Sequence, residues 1–134
     1  MQNVRTDEAD DLTVADVMHA DVASMPSSAT VAELRRWFAV SASRRLAVIA
    51  DDGRYAGAVT PSDVGEGAAG DRPAVAVARA HATVAPEVAA VIGRDLALAS
   101  EARRVPVVDD EGHFHGVLAL TSDLQFFACR PQPG

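Results

Sequence analysis

Apolar positions along this chain alternate between helical stripes and short dense runs, and the same order occurs twice. Val31, Leu34 and Phe38 recur at helical spacing with Trp37 widening the stripe, which predicts an amphipathic helix. Thr30-Val31-Ala32-Glu33 has the form of a capping box that starts it. Arg45–Ala50 and Tyr55–Thr60 predict two strands joined at Asp51-Asp52-Gly53, a hairpin signal. A short helix is expected over Thr13–His19, an extended piece at Val22–Ser24 and a turn at Pro26-Ser27-Ser28. A last helix is expected from Thr60-Pro61, with threonine as cap and proline at its first position, ending at Gly65, Gly67 and Gly70. The second half repeats this order. Val88, Ile92, Leu96 and Ala99 stripe a main helix despite Gly93, Val105–Asp109 and His113–Leu120 predict a hairpin, and Thr121–Cys129 a closing helix.

The repetition is measurable in the sequence itself. Thr13 to Pro26 aligns with Pro73 to Pro86 without a gap at a spacing of 60 (86 − 26), and Arg45 to Gly57 aligns with Arg104 to Gly116 at 59 (116 − 57). Ser62-Asp63 returns as Ser122-Asp123. A repeat of this length is one supersecondary unit, and two such units pack to share a core. The expected division is a loose leader at 1–12, a first repeat at 13–67, a second at 68–129 and a tail at 130–134. Each repeat is β-α-β-β-α with a short helix in front, which makes the fold class α/β.

Composition narrows the chemistry. At 134 residues and 49% hydrophobic content, the chain is of ordinary size and apolarity for a folded protein. No apolar run is long enough to cross a bilayer, and the acidic start has no hydrophobic signal core. With one cysteine, Cys129, there is no internal disulfide, and a reducing cytoplasm is the expected setting. The net charge of −7 opposes a phosphate backbone, so nucleic acid is not an expected partner. All twelve basic residues are arginine. That excludes a P-loop lysine, a Schiff-base lysine and a lysine base.

The segments Val14-Ala15-Asp16-Val17-Met18, Pro26 four residues before Thr30, and Leu46-Ala47-Val48-Ile49-Ala50-Asp51-Asp52-Gly53 resemble those of a tandem CBS-domain pair, or Bateman module. Gly57-Ala58-Val59-Thr60-Pro61-Ser62-Asp63 is similar to that family's G-x-x-T-x-x-D segment. The resemblance covers about 13–127. It implies two repeats related by pseudo-twofold symmetry, with clefts that hold AMP, ADP, ATP or S-adenosylmethionine. It also implies that Thr60 contacts phosphate or ribose and that Asp63 holds the ribose hydroxyls. Ala23, Arg45, Pro61, Ser62, Arg104, Thr121 and Asp123 complete the ligand set that it implies. A carboxylate can accept from both hydroxyls of a ribose, and a helix N-terminus attracts phosphate.

Other readings of the same residues stand beside this one. Thr60-x-x-Asp63 is also a plain helix start. In the second repeat, counting from Gly116 puts Ala119 and Ser122 at the Thr and Asp places, and only a slip restores Thr121 and Asp123. Arg44-Arg45 and Arg103-Arg104 suit phosphate or simple solvation. His113 and His115 share one strand face without an evident third metal ligand, and solvated positions are expected. No nucleophile–base set emerges, so neither enzymatic activity nor an enzyme cofactor is expected. The expected function is a stand-alone regulatory module that binds an adenosine nucleotide, forms a homodimer and acts on a separate partner. The alternative is a structural or dimerising module without a ligand.

Overall fold

Thr30 begins the first main helix as its sequence predicts. In the computed structural model, which describes residues 4–20, 22–42, 44–65, 69–78, 81–121 and 123–128, its hydroxyl accepts the Glu33 N–H at 3.2 Å. The helix, α2, runs Val31–Ala39 and buries Val31 and Leu34. It follows a short α1 at Val14–Val17. Strands β1 (Ala47–Asp51) and β2 (Arg54–Val59) form the expected antiparallel hairpin, and a 3₁₀ turn at Pro61–Val64 closes the repeat. The second repeat has α3 (Ala74–Val77), α4 (Ala90–Ala99), β3 (Arg104–Val108) and β4 (Phe114–Ala119). Each hairpin takes a third, parallel partner at one point, Met25 on Ile49 and Val84 on Val107. Met25 directly follows the extended piece expected at Val22–Ser24, and Val84 holds the corresponding place in the second repeat. Cys129, Ser122, Gly67 and the tail 130–134 lie outside the described residues.

The described residues divide into two compact bodies, and neither is one contiguous repeat. One body contains residues 4–22 and 82–128, the other 23–81. The short lead helices are exchanged. Val14 and Val17 of α1 pack with Ala90, Ala97, Val105, Val107 and Leu118 of the second repeat. Ala74 of α3, with Val77 beside it, packs with Val31, Leu34, Ile49 and Val59 of the first. Backbone bonds seal both exchanges. Ala90 N–H donates to Leu12 O at 2.9 Å, and Val31 N–H donates to Arg72 O at 2.9 Å. Ala89 has no side chain able to cap α4, so the backbone of the lead segment satisfies the helix start instead.

Several sequence expectations are corrected. Residues 4–12 are not a loose leader: Ala9 is fully buried, and Thr6 N–H donates to Gln125 O at 2.8 Å. The inward face of α4 is Ala90, Gly93 and Ala97, while Ile92 is 52% exposed. Of the expected stripe, Val88 and Leu96 pack against the core at its edge, while Ile92 and Ala99 are exposed, because close packing at the centre selects small residues. A Cβ on Gly93 would lie 2.7 Å from Leu118 Cδ1 and 3.0 Å from Val14 Cγ2. The closing helix expected from Thr121 is absent among the described residues. Leu124 takes φ 64°, which a helix does not tolerate, and the chain turns back so that Phe127 pairs with Leu120 and enters the core fully buried.

Candidate functional site

The hairpin registers decide which residues of the two repeats correspond. Ile49 lies opposite Gly57 and Val107 opposite Gly116, with a bulge directly after each strand residue. The spacing is therefore 58 along the first strand (107 − 49) and 59 along the second (116 − 57), because the second turn is one residue longer. Arg45 then corresponds to Arg103 rather than to Arg104. Thr60 corresponds to Ala119, because Val59 pairs with Ala47 as Leu118 pairs with Val105.

In the first repeat the predicted residues come together. Thr60 is 3% exposed and Asp63 has a side chain 4% exposed. Asp63 Oδ2 accepts the Thr60 N–H at 2.9 Å and its hydroxyl at 3.1 Å. The Thr60 hydroxyl also lies 2.9 Å from Ser62 Oγ, and Pro61 occupies the first position of the turn. This clasp is a capping device in its own right. Thr13 and Asp16 make it at the start of α1 with the same two distances. What sets the Thr60 site apart is burial, since Asp16 is exposed, and a histidine. His81 places Nε2 4.0 Å from Asp63 Oδ2. That nitrogen is shut off from solvent and has no hydrogen-bond partner among the described residues. Sequence reasoning missed His81, since nothing local marks a residue 18 positions beyond Asp63 (81 − 63); only the fold brings it back. On the same turn, an open groove of about 580 Å³ is lined by Arg35, Phe38, Pro61 and Val64 among others. Arg35 holds the end of the turn by donating to Val64 O at 2.9 Å and Gly65 O at 3.1 Å.

The remaining predicted residues are dispersed. Ala23 is exposed on the approach to Met25. Arg45 is exposed. Its neighbour Arg44 donates to Trp37 O at 3.0 Å and stacks 4.8 Å over the Trp37 ring, so it secures the end of α2. Arg103 donates to Leu98 O and Ser100 O and does the same for α4. Arg104 donates to Ala102 O at 2.9 Å. Among the described residues, Thr121 and Asp123 bond within their own loop. The Thr121 hydroxyl donates to Asp123 Oδ1 at 2.6 Å, and Gln125 N–H donates to the same oxygen at 3.1 Å. The Thr121 bond, then the Gln125 bond, holds the exposed Asp123 carboxyl below its usual range. At Thr60's place, Ala119 continues β4 and accepts Ala128 N–H at 2.7 Å, so the second repeat has strand where the first has a clasp.

The two histidines of β4 and its turn are not merely solvated. His115 Nε2 lies 2.7 Å from Asp109 Oδ2, and His113 Nδ1 3.6 Å from the same atom. His115, together with the N–H groups of His113 and Glu111, holds the Asp109 carboxyl at about 2. Among the described residues no group of three or more His, Cys, Asp and Glu is placed to hold a metal ion. No helix among them is long and apolar enough to cross a membrane.

The family model of the CBS domain matches residues 14–66. Among curated proteins, none matches the chain. Solved structures do. A CBS-pair protein of Arabidopsis thaliana, CBSX2, is 19% identical over 80% of this chain and 87% of its own, with a TM-score of 0.69. CBSX2 in complex with AMP is similar at 20% identity over 80% of this chain and 89% of its own, with a TM-score of 0.67. The cytosolic domain of the Mg2+ channel MgtE in complex with ATP is 18% identical over 80% of this chain and 45% of its own, with a TM-score of 0.66. The first repeat thus matches the CBS-domain model, and the fold over 80% of the chain is that of the solved CBS pairs.

Proposed function

We propose that this chain is a regulatory rather than catalytic module that binds an adenosine-containing nucleotide at the Thr60–Asp63 turn and acts on a separate partner. The observation that carries this reading is the buried clasp of Thr60 and Asp63, with Ser62 beside it. It presents a carboxylate in a solvent-poor setting, where hydrogen bonds to charge are strong. Similar folds solved with AMP and with ATP support the ligand class. Because Ala119 replaces the clasp in the second repeat, we expect one nucleotide per chain. Titration calorimetry with AMP, ADP, ATP and S-adenosylmethionine tests this: one site per chain supports the reading, and no heat with any of the four overturns it.

A ligand-free dimerising module is the second reading. It is favoured by the exposed apolar residues Val40 (63%), Val75 (50%) and Ile92 (52%) on helices and their ends, and by the fact that the clasp at Thr13 caps a helix just as well. Light scattering at tens of micromolar, on the order of common affinities, reads the assembly directly, and a dimer is the expected result under both readings. Nucleotide titration separates them.

A further inference from the structure

We infer that His81 is a further positioning residue of this site: His81 Nε2 and Asp63 Oδ2 hold one ribose hydroxyl of the nucleotide between them. The inference rests on the nucleotide reading above and names the contact that fixes the sugar. The two atoms lie 4.0 Å apart, too far for a direct hydrogen bond. An oxygen about 2.8 Å from each would bridge them with an angle of roughly 90°, which a hydroxyl accommodates by donating to one and accepting from the other. The ionised carboxylate can only accept, so the hydroxyl proton goes to Asp63 and the imidazole N–H donates to the hydroxyl oxygen.

Two further features favour this arrangement. His81 Nε2 is buried without a partner, an unfavourable state that a bound hydroxyl relieves. Asp63 Oδ2 already accepts the Thr60 hydroxyl, but that hydroxyl has a second partner in Ser62 Oγ at 2.9 Å. Turning its proton to Ser62 lets the ligand hydroxyl take its place on Asp63 Oδ2 while the Thr60 N–H keeps the carboxylate in position.

Titration calorimetry on the full chain with AMP, 2′-deoxy-AMP and 3′-deoxy-AMP tests the pair. The wild-type chain is expected to prefer AMP over one of the deoxynucleotides by about tenfold or more. In His81→Ala that preference should shrink to within about threefold, while His81→Gln, whose amide nitrogen reaches the Nε2 position, retains it. A histidine that only fills space would change stability and leave the preference alone. If His81→Ala fails to fold, His81→Asn replaces it, since its amide falls short of the Nε2 position. Full preference in the shortened variant overturns the role of His81 and leaves the nucleotide reading standing. Absence of AMP binding by the wild-type chain overturns both.

Discussion

Asp63 and Thr60 clasp each other across a single turn, with one carboxylate oxygen accepting both the Thr60 N–H at 2.9 Å and its hydroxyl at 3.1 Å. Asp63→Ala removes the carboxylate half of this capping box and is expected to cost a few tenths to about 1 kcal/mol of folding stability. If the carboxylate also holds ribose, nucleotide affinity falls ten- to a hundredfold as well, since hydrogen bonds to charge contribute about 1.5–3 kcal/mol. Asp123→Ala, in an exposed loop, should leave affinity unchanged. Denaturation and calorimetry on both variants check this. Equal loss in the two, or loss only in Asp123→Ala, refutes the assignment to the first repeat.

Gly93→Ala puts two effects in opposition. Helix propensity alone favours alanine by about 0.8–1 kcal/mol. The new Cβ would meet Leu118 Cδ1 at 2.7 Å and Val14 Cγ2 at 3.0 Å, both on fully buried side chains, and overpacking costs about 1–3 kcal/mol. We expect a net destabilisation of about 1 kcal/mol in urea denaturation. A more stable variant would mean that α1 and β4 yield to the added methyl.

Acid should weaken the β3–β4 hairpin. Asp109 titrates at about 2 in the folded chain against an ordinary 3.8, first because His115 bonds it and then through the His113 N–H. Its folded value is depressed, so its contribution is complete above about pH 4 and is lost as pH falls from there through about 2, where the unfolded chain binds more protons. Asp109→Asn should therefore be less stable than wild type at pH 6, with the gap closing towards pH 2. A gap that stays constant over that range contradicts the assignment.

The exchange of lead helices predicts how fragments behave. A fragment of residues 13–67 carries α1 without the body it packs in, and lacks Ala74, which is fully buried against the first repeat. Residues 23–81 keep that body intact. The second fragment should melt cooperatively by circular dichroism, and the first should show a broad or absent transition. Equal cooperativity would show that the exchange contributes little.

Much of this architecture is legible in local sequence. The Thr30 cap, the Asp51-Asp52-Gly53 turn and Pro61 after Thr60 each act within a few residues, and each appears where its chemistry places it. What escapes is what distant packing decides. Ile92 satisfies a helical stripe but faces outward, because the buried face of α4 is Ala90, Gly93 and Ala97, with Val91 and Leu96 at its margins. Gly116 aligns with Gly57 by eye, yet its local role is to let His19 O approach; a Cβ there would lie 2.4 Å away. The equivalence of Arg45 and Arg103 follows from hydrogen-bond register, which assigns the extra residue of the second repeat to its turn. For the candidate site, the motif gives Thr60, Ser62 and Asp63, while His81 is supplied by the return of the chain.

The exchanged α1 also sets the order in which a nascent chain can complete itself. Val14 and Val17 leave the ribosome early, yet their partners extend to Leu118. At typical synthesis rates that interval of about a hundred residues lasts on the order of 5–20 s. During it the first helix has no place to bury its valines, whereas the hairpin and α2 of the first repeat await only α3. The body at 23–81 can thus form during translation, whereas the body that encloses it in sequence must wait for the second repeat.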